Sequence, residues 1–182
     1  MPNIKPLRDY SEHDVINFFK YSGTLPATAG TFVKIQSGWD SDQVTQLLGP
    51  VGASYANTVS ERFGVAACVT QTANTGDACI GMLLMDVREL DENGEKLVFN
   101  PRKAAEINSV LSGQAVPILT RGLVLFSGVQ ESSVTAGTKA YVTGAGGLTI
   151  TGPGTGVDAV GTFLGSKDSK GFVLLKLSIT NV

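Results

Sequence analysis

Short apolar runs, separated by glycine-rich or polar stretches, recur along most of this chain. In the last run, residues 172–179, every second position is apolar, which is the period of a β-strand with one buried face. Similar runs predict strands at residues 32–35, 65–69, 79–87, 119–126, 139–143, 148–151 and 157–164. The chain has 22 glycines in 182 residues, and glycine suits the turns between short strands. The pattern therefore predicts a mainly β fold, as a β-sandwich or a β-barrel-like body.

Two segments depart from the strand pattern and predict short α-helices. Residues 11–20 begin with Ser11 as an N-cap, have Asp14 three positions later, and end shortly before Gly23. The apolar face of this helix would carry Val15, Phe18 and Phe19.

The second predicted helix covers residues 101–112. Asn100 is its N-cap, Pro101 occupies the first helical position, and Gly113 follows its end. We expect an N-terminal arm over residues 1–23, which contains the first helix. A single β-rich domain over residues 24–182 would contain the second.

Composition limits the class of partner. The chain is 42% hydrophobic and 16% charged, a balance that supports a folded core rather than disorder. With a net charge of -2, the chain lacks the positive charge typical of a duplex-binding protein, so we expect no nucleic-acid partner.

Residues 1–10 contain no apolar signal-peptide core, and the longest apolar runs, such as residues 81–85, are too short to span a membrane. We expect a soluble chain with no signal peptide and no membrane partner.

Soft metal ligands are few. The chain has one histidine and two cysteines, which cannot fill a structural zinc site of four Cys or His ligands. We predict that Cys68 and Cys79 are reduced and buried, because a chain of this length builds a core without disulfides. A bridge between them across adjacent strands is the alternative.

No residue pattern indicates catalysis. His13 is the one side chain that titrates near neutral pH unaided, and it lies between Glu12 and Asp14 in a segment that predicts a solvated helix. The sequence contains no Gly-x-Ser-x-Gly nucleophile motif. We expect no enzymatic activity, no cofactor and no small-molecule substrate.

Acidic residues are concentrated around the dipeptide Asn93-Gly94, which predicts an exposed, charged turn rather than a metal site. The cluster consists of Asp86, Glu89, Asp91, Glu92 and Glu95. Weak Ca²⁺ binding by this loop is the alternative.

Two glycine-rich loops, residues 144–147 and 152–156, precede strand-like sequence instead of a helix and therefore do not predict a phosphate site. Trp39 is predicted to lie in a polar loop. Its ring would either pack on its own domain or contact a partner or a sugar.

The sequence also repeats itself in two places. Thr-Ala-Gly-Thr occurs at residues 28–31 and again at 135–138, each time just before a predicted strand, and residues 77–84 resemble residues 158–164. The spacing differs between the two pairs, so chance similarity and a diverged duplication are both open at this point.

A series of glycine-bounded apolar runs closes the chain: residues 120–126, 136–142, 147–150, 159–164 and 171–177. This series resembles the small cement, or head-decoration, proteins of tailed bacteriophages, and residues 25–84 resemble them weakly. The resemblance implies a homotrimer that binds the major capsid protein on the outer surface of an icosahedral shell. It also implies localisation in the virion, after assembly in the cytoplasm of the bacterial host. The predicted helix at residues 101–112 departs from the pattern of the smallest members.

A cement protein needs no catalytic residue and gains avidity by touching several shell subunits. The N-terminal segment would be either an arm onto the shell or a neighbouring protomer, or a cover for one end of its own barrel. The candidate contact residues are Ile4, Leu7, Tyr10, Phe18, Phe19 and Trp39. The alternative function is a carbohydrate-binding or host-adhesion module on a virion surface, with Trp39 and the glycine-rich loops as its site.

Overall fold

The computed structural model describes residues 3–7, 9–38, 67–154 and 158–179 of the chain. Its strands are β1 (Ile4–Pro6), β2 (Val15–Ile16), β3 (Lys20–Tyr21), β4 (Phe32–Ser37), β5 (Cys68–Gln71), β6 (Gly81–Leu83), β7 (Asp86–Arg88), β8 (Ser109–Leu111), β9 (Ile118–Leu119), β10 (Arg121–Phe126), β11 (Lys139–Val142), β12 (Leu148–Thr149), β13 (Gly161–Phe163) and β14 (Val173–Ser178). The described residues contain one α-helix, α1 (Pro101–Glu106). The mainly β prediction is confirmed.

The described strands are arranged in three sheets. The first sheet has the order β2-β9-β6-β4-β5-β3, and the second has the order β1-β10-β14-β13-β11-β12. Strands β7 and β8 pair in parallel as a separate sheet. The predicted runs at residues 79–87 and 119–126 each contain parts of two strands, because the chain passes from one sheet to another within each run.

The two six-stranded sheets are built to one plan. In the first, β4 pairs with β5 and β6, and β9 pairs with β6 and β2. In the second, β11 pairs with β12 and β13, and β14 pairs with β13 and β10. Even the parallel pairing of Tyr21 with Val69 in the first sheet has its match, a parallel bridge from Val129 to Leu148 in the second.

The two Thr-Ala-Gly-Thr turns make matching hydrogen bonds. The Gly30 amide donates to the Leu83 carbonyl over 2.7 Å, and the Gly137 amide donates to the Phe163 carbonyl over 2.8 Å. Both glycines have left-handed φ angles, 91° and 86°. In each sheet, the Thr-Ala-Gly-Thr turn therefore lies beside the strand that contains the second echo. The distance along the chain between the two echoes is longer in the first sheet, because many more residues separate β4 from β5 than β11 from β12. The structure therefore favours an internal repeat over chance similarity.

We name residues 15–119 repeat 1 and residues 121–178 repeat 2. The interiors of the two repeats are lined by corresponding positions, since the same register places the same strand positions inward. Three such pairs are Val33 and Ala140, Leu83 and Phe163, and Ile118 and Leu175.

Residues on the opposite face of the first sheet join the repeats. Side chains alternate across a strand, so Phe32 lies in the core of repeat 2 while Val33, the next residue, lies in the core of repeat 1. The Phe32 ring meets the Phe126 ring edge-on, with centroids 5.6 Å apart. The two repeats therefore share buried surface.

Strands β7 and β8 and helix α1 form an insertion between β6 and β9 that has no match in the described part of repeat 2. Val87 and Val110 attach it to the core of repeat 1. Its own small core consists of Leu97, Ala104 and Leu111, with Ile107 packed against them.

The second predicted helix is present but shorter than predicted. Asn100 caps α1 as expected, since its side-chain oxygen accepts from the Lys103 amide over 3.3 Å. The helix ends at Glu106 instead of residue 112. Asn108 has φ 53°, and asparagine tolerates the left-handed conformation that ends a helix. The chain then continues as β8.

The prediction of a helix over residues 11–20 is wrong. Ser11 caps only a single 3₁₀ turn, Glu12–Asp14, in which its hydroxyl accepts from the His13 amide over 3.3 Å. The chain then extends as β2 because β-branched residues favour strands and β9 supplies a partner.

For the N-terminal segment, residues 1–23, the sequence predicts an arm. Within the described part of this segment, β1 belongs to the second sheet, and β2 and β3 belong to the first. Its strands are therefore integral to both six-stranded sheets.

Candidate contact surface

Two of the predicted contact residues are core residues. Ile4 is buried in the core of repeat 2, and Phe19 is buried in the core of repeat 1. A sequence pattern that assigns apolar residues near a chain end to an arm misses this, because their pairing strands lie far along the chain.

The other predicted contact residues differ in accessibility. Leu7 is 49% exposed and Phe18 is 64% exposed. Tyr10 is partly buried, and its hydroxyl donates to the Leu123 carbonyl over 3.0 Å. Trp39 lies outside the described residues.

The sequence-based prediction missed Phe99, which is 79% exposed and therefore the most exposed of the large apolar side chains in the described residues. It lies in the insertion, at the end of the 3₁₀ turn Leu97–Phe99 and directly before the Asn100 cap. Exposed aromatic rings are typical anchors of protein interfaces. The sequence feature that could have predicted this exposure is an aromatic residue directly before a helix cap, because side chains at that position make few core contacts.

The acidic cluster does not form the wholly exposed turn that its sequence predicts. The Asp91 side chain is only 2% exposed and forms an ion pair with Lys103. Its carboxylate also accepts from the amides of Asn93 and Glu95, each over 2.8 Å. The hydrogen bond from Lys103 is the main cause that lowers the pKa of Asp91.

Asp86 also has its own partners, the Ala29 amide at 2.8 Å and the Arg88 guanidinium at 2.9 Å. Asp86 and Asp91 are thus committed to separate contacts. Across the residues that the structure describes, no three His, Cys, Asp or Glu side chains are placed to hold a metal ion.

Both cysteines are free and buried, as predicted. Burial raises the pKa of the Cys79 thiol to about 12, and that thiol donates to the Gly81 carbonyl over 3.3 Å. His13 is part of the 3₁₀ turn Glu12–Asp14, in which no residue is buried.

An open cleft of about 590 Å³ lies where the end of β5 meets the loops that follow β3, β10 and β11. Its walls include Thr28, Gln71, Gln130 and part of the glycine-rich loop 144–147, and every lining side chain is uncharged. The cleft can therefore offer hydrogen bonds to a neutral polar group, without an ion pair.

The chain matches no family model, no curated protein and no solved structure. Among the described helices, none has the length and apolar character needed to cross a membrane.

Proposed function

We propose that this chain is a non-enzymatic structural protein of a tailed-bacteriophage virion. In this role it is a capsid cement, or decoration, protein that binds the major capsid protein on the outer surface of the head and stabilises the shell by bridging capsomers. The observation that carries the proposal is the place of the five segments that resemble cement proteins. They coincide with β10, β11, β12, β13 and β14, which together make up repeat 2.

The fold and surface support this role. The two ends of the first sheet, β2 and β3, follow each other closely along the chain, so we interpret repeat 1 as barrel-like. Phe18 and Phe99 place large apolar surface in solvent at two separate positions. A cement protein works through many modest contacts of this kind, and a homotrimer multiplies them.

The test is the amount of this chain in purified particles relative to the major capsid protein, measured by quantitative mass spectrometry. We expect a copy number approaching that of the shell protein, and particles that lose the chain should break at lower temperature. Sedimentation equilibrium of the purified chain should give a trimer. Absence from the particles would overturn the proposal.

One observation favours the alternative of a carbohydrate-binding or host-adhesion module. Part of one of the two glycine-rich loops, residues 144–147, lines the uncharged cleft, and that alternative assigns this loop to the site. A few copies per particle, together with binding of the folded chain on a glycan array, would support it over the cement role.

A further inference from the structure

The charged side chains on the strands of the second sheet are all positive. Its six strands contain four basic residues and no acidic residue, although the net charge of the whole chain is -2. The basic residues are Lys5, Arg121, Lys139 and Lys176. Side chains alternate across a strand, and each of the three lysines is next in sequence to a core residue: Ile4, Ala140 and Leu175. The lysines therefore point away from the core, and all three are exposed.

The strand register sets these lysines around an apolar centre. Thr162 lies opposite both Lys139 and Lys176, so the two lysines are two strands, or about 10 Å, apart. In the adjoining row, Leu125 lies opposite Leu174. Both leucines are partly buried and lie outside the described hydrophobic cores. We name this surface the basic face, and it consists of Lys5, Leu125, Lys139, Thr162, Leu174 and Lys176.

The lysines of the basic face have no acidic partner in the part of the chain that the structure describes. The Nζ atom of Lys5 lies 4.4 Å from the centroid of the Phe172 ring, which holds this charge at the surface. Arg121 differs, because it lies 3.9 Å from the Asp14 carboxylate. An apolar centre with a polar rim is the usual arrangement of a protein interface, and the unbalanced lysines favour an acidic partner.

The insertion carries the opposite charge next to exposed apolar side chains. Three of its glutamates are exposed and form no ion pair with any described residue. They are Glu89, Glu92 and Glu95. Residues 89–99 contain a single basic residue, Lys96. Leu90 is 46% exposed and Phe99 is 79% exposed. This end of the insertion therefore matches the basic face in both charge and apolar character.

We propose that the insertion of one copy of this chain docks on the basic face of a second copy. Within one chain the two surfaces do not cover each other, because the lysines of the face and the glutamates of the insertion are all exposed. A second copy brings the surfaces together, with glutamates beside lysines. The apolar side chains of the insertion then pack against the leucines of the face.

The occupant is a second copy because every chain carries both halves of the contact. Complementary charges steer two copies together and fix their orientation. A contact of this head-to-tail kind closes into a ring or continues as a filament. For its closure as a trimer, the inference rests on the proposed function.

Charge-reversal variants of the full chain test the contact by sedimentation equilibrium. The face variant combines Lys139→Glu with Lys176→Glu. The insertion variant combines Glu92→Lys with Glu95→Lys. Each should weaken self-association about tenfold or more, because like charges would then meet. A chain with all four substitutions restores opposite charges and should associate within about threefold of the parent. Lys170→Glu, in the exposed turn before β14, is the control and should change association less than about twofold.

Crosslinking of the parent chain gives a second measurement, which decides alone if a variant does not fold. A carbodiimide condenses a lysine amine with a glutamate carboxylate into an amide when the two are in contact, and takes up the water that is released. In a mixture of isotope-labelled and unlabelled chains, mass spectrometry separates links between copies from links within one chain. We expect links between copies that join lysines of the basic face to Glu89, Glu92 or Glu95. Thermal melting of the variants checks that they fold.

Association that both variants retain, or links between copies that avoid these residues, would overturn the inference and assign the homotrimer to another contact. Loss of association in only one of the two variants would overturn it as well, because both halves of the contact are required. A four-substitution chain that stays monomeric would do the same. A monomeric parent chain would overturn the inference and remove the trimer from the proposed function, whereas the copy number in purified particles decides the cement role itself.

Discussion

At the scale of single residues, two glycines show how closely the repeats match. A Cβ at Gly81 would lie 2.6 Å from the Leu119 carbonyl oxygen, and a Cβ at Gly161 would lie 2.4 Å from the Lys176 carbonyl oxygen. The two carbonyls occupy corresponding positions on the neighbouring strands. Only glycine therefore fits where these strands approach, and the clash involves main chain that cannot rotate away.

Gly161→Ala should lower the free energy of unfolding by about 2 kcal/mol or more, because β13 and β14 would have to separate. Urea denaturation followed by circular dichroism measures the change. Gly165→Ala is the control, since a Cβ there would have no atom within 4 Å beyond its chain neighbours, and the φ of Gly165 is outside the left-handed region. We expect that variant to stay within about 0.5 kcal/mol of the parent. Equal stability of the two variants would contradict the close approach.

At the scale of elements, local signals predicted where a helical turn begins better than how far it extends. The Asn100 cap and the Ser11 cap are both used, because capping depends on a few neighbouring atoms. The conformation after each cap depends on distant partners. Residues 15–16 form a strand because they pair with β9, and Ser109–Leu111 form a strand because they pair with β7. The second helix was therefore predicted too long, and the first was predicted where only a 3₁₀ turn forms.

The turn before α1 should be sensitive to acid through Asp91. Hydrogen bonds from Lys103 first, and then from the Glu95 amide, lower the pKa of this carboxyl in the folded state. A lowered folded-state pKa adds stability above the unfolded-state pKa, and that stability is lost as the pH falls through the folded-state pKa. Asp91→Asn should thus lower the melting temperature at neutral pH and should match the parent chain in acid.

Melting curves across the acidic pH range check this expectation. Glu12→Gln is the control, because Glu12 is exposed on its 3₁₀ turn, and it should leave the melting temperature unchanged throughout. A constant difference between Asp91→Asn and the parent at every pH would rule out the carboxylate as its cause.

At the scale of the whole molecule, the two repeats share a buried core, so we expect them to unfold as one unit. Cys79 lies in repeat 1, but its side chain belongs to the core of repeat 2. Cys68 is buried on β5. Both cysteines are buried, so their thiols are shielded from solvent in the folded chain.

Thiol labelling of the native chain should therefore be slow and should report global opening. With a chromogenic disulfide reagent at neutral pH, we expect both thiols to react at one slow rate, and at once in denaturant. Gly161→Ala should speed the native reaction, because it weakens the same cooperative unit. Rapid reaction of one thiol in the native chain would show that its surroundings open independently.

Features that depend on neighbours along the chain could be predicted from the sequence: strand periodicity, glycine turns, helix caps, and the burial of Cys68 and Cys79. The strands formed by residues 3–21 could not be predicted, because their partners β5, β9 and β10 lie far away in sequence. These partners pair with them only in the folded chain. Only the tertiary structure shows that the Thr-Ala-Gly-Thr echo is part of a repeat. The number of residues between corresponding strands differs between the two repeats, but the hydrogen-bond register of those strands is the same. Register is fixed by which face is buried, and burial is a property of the assembled fold.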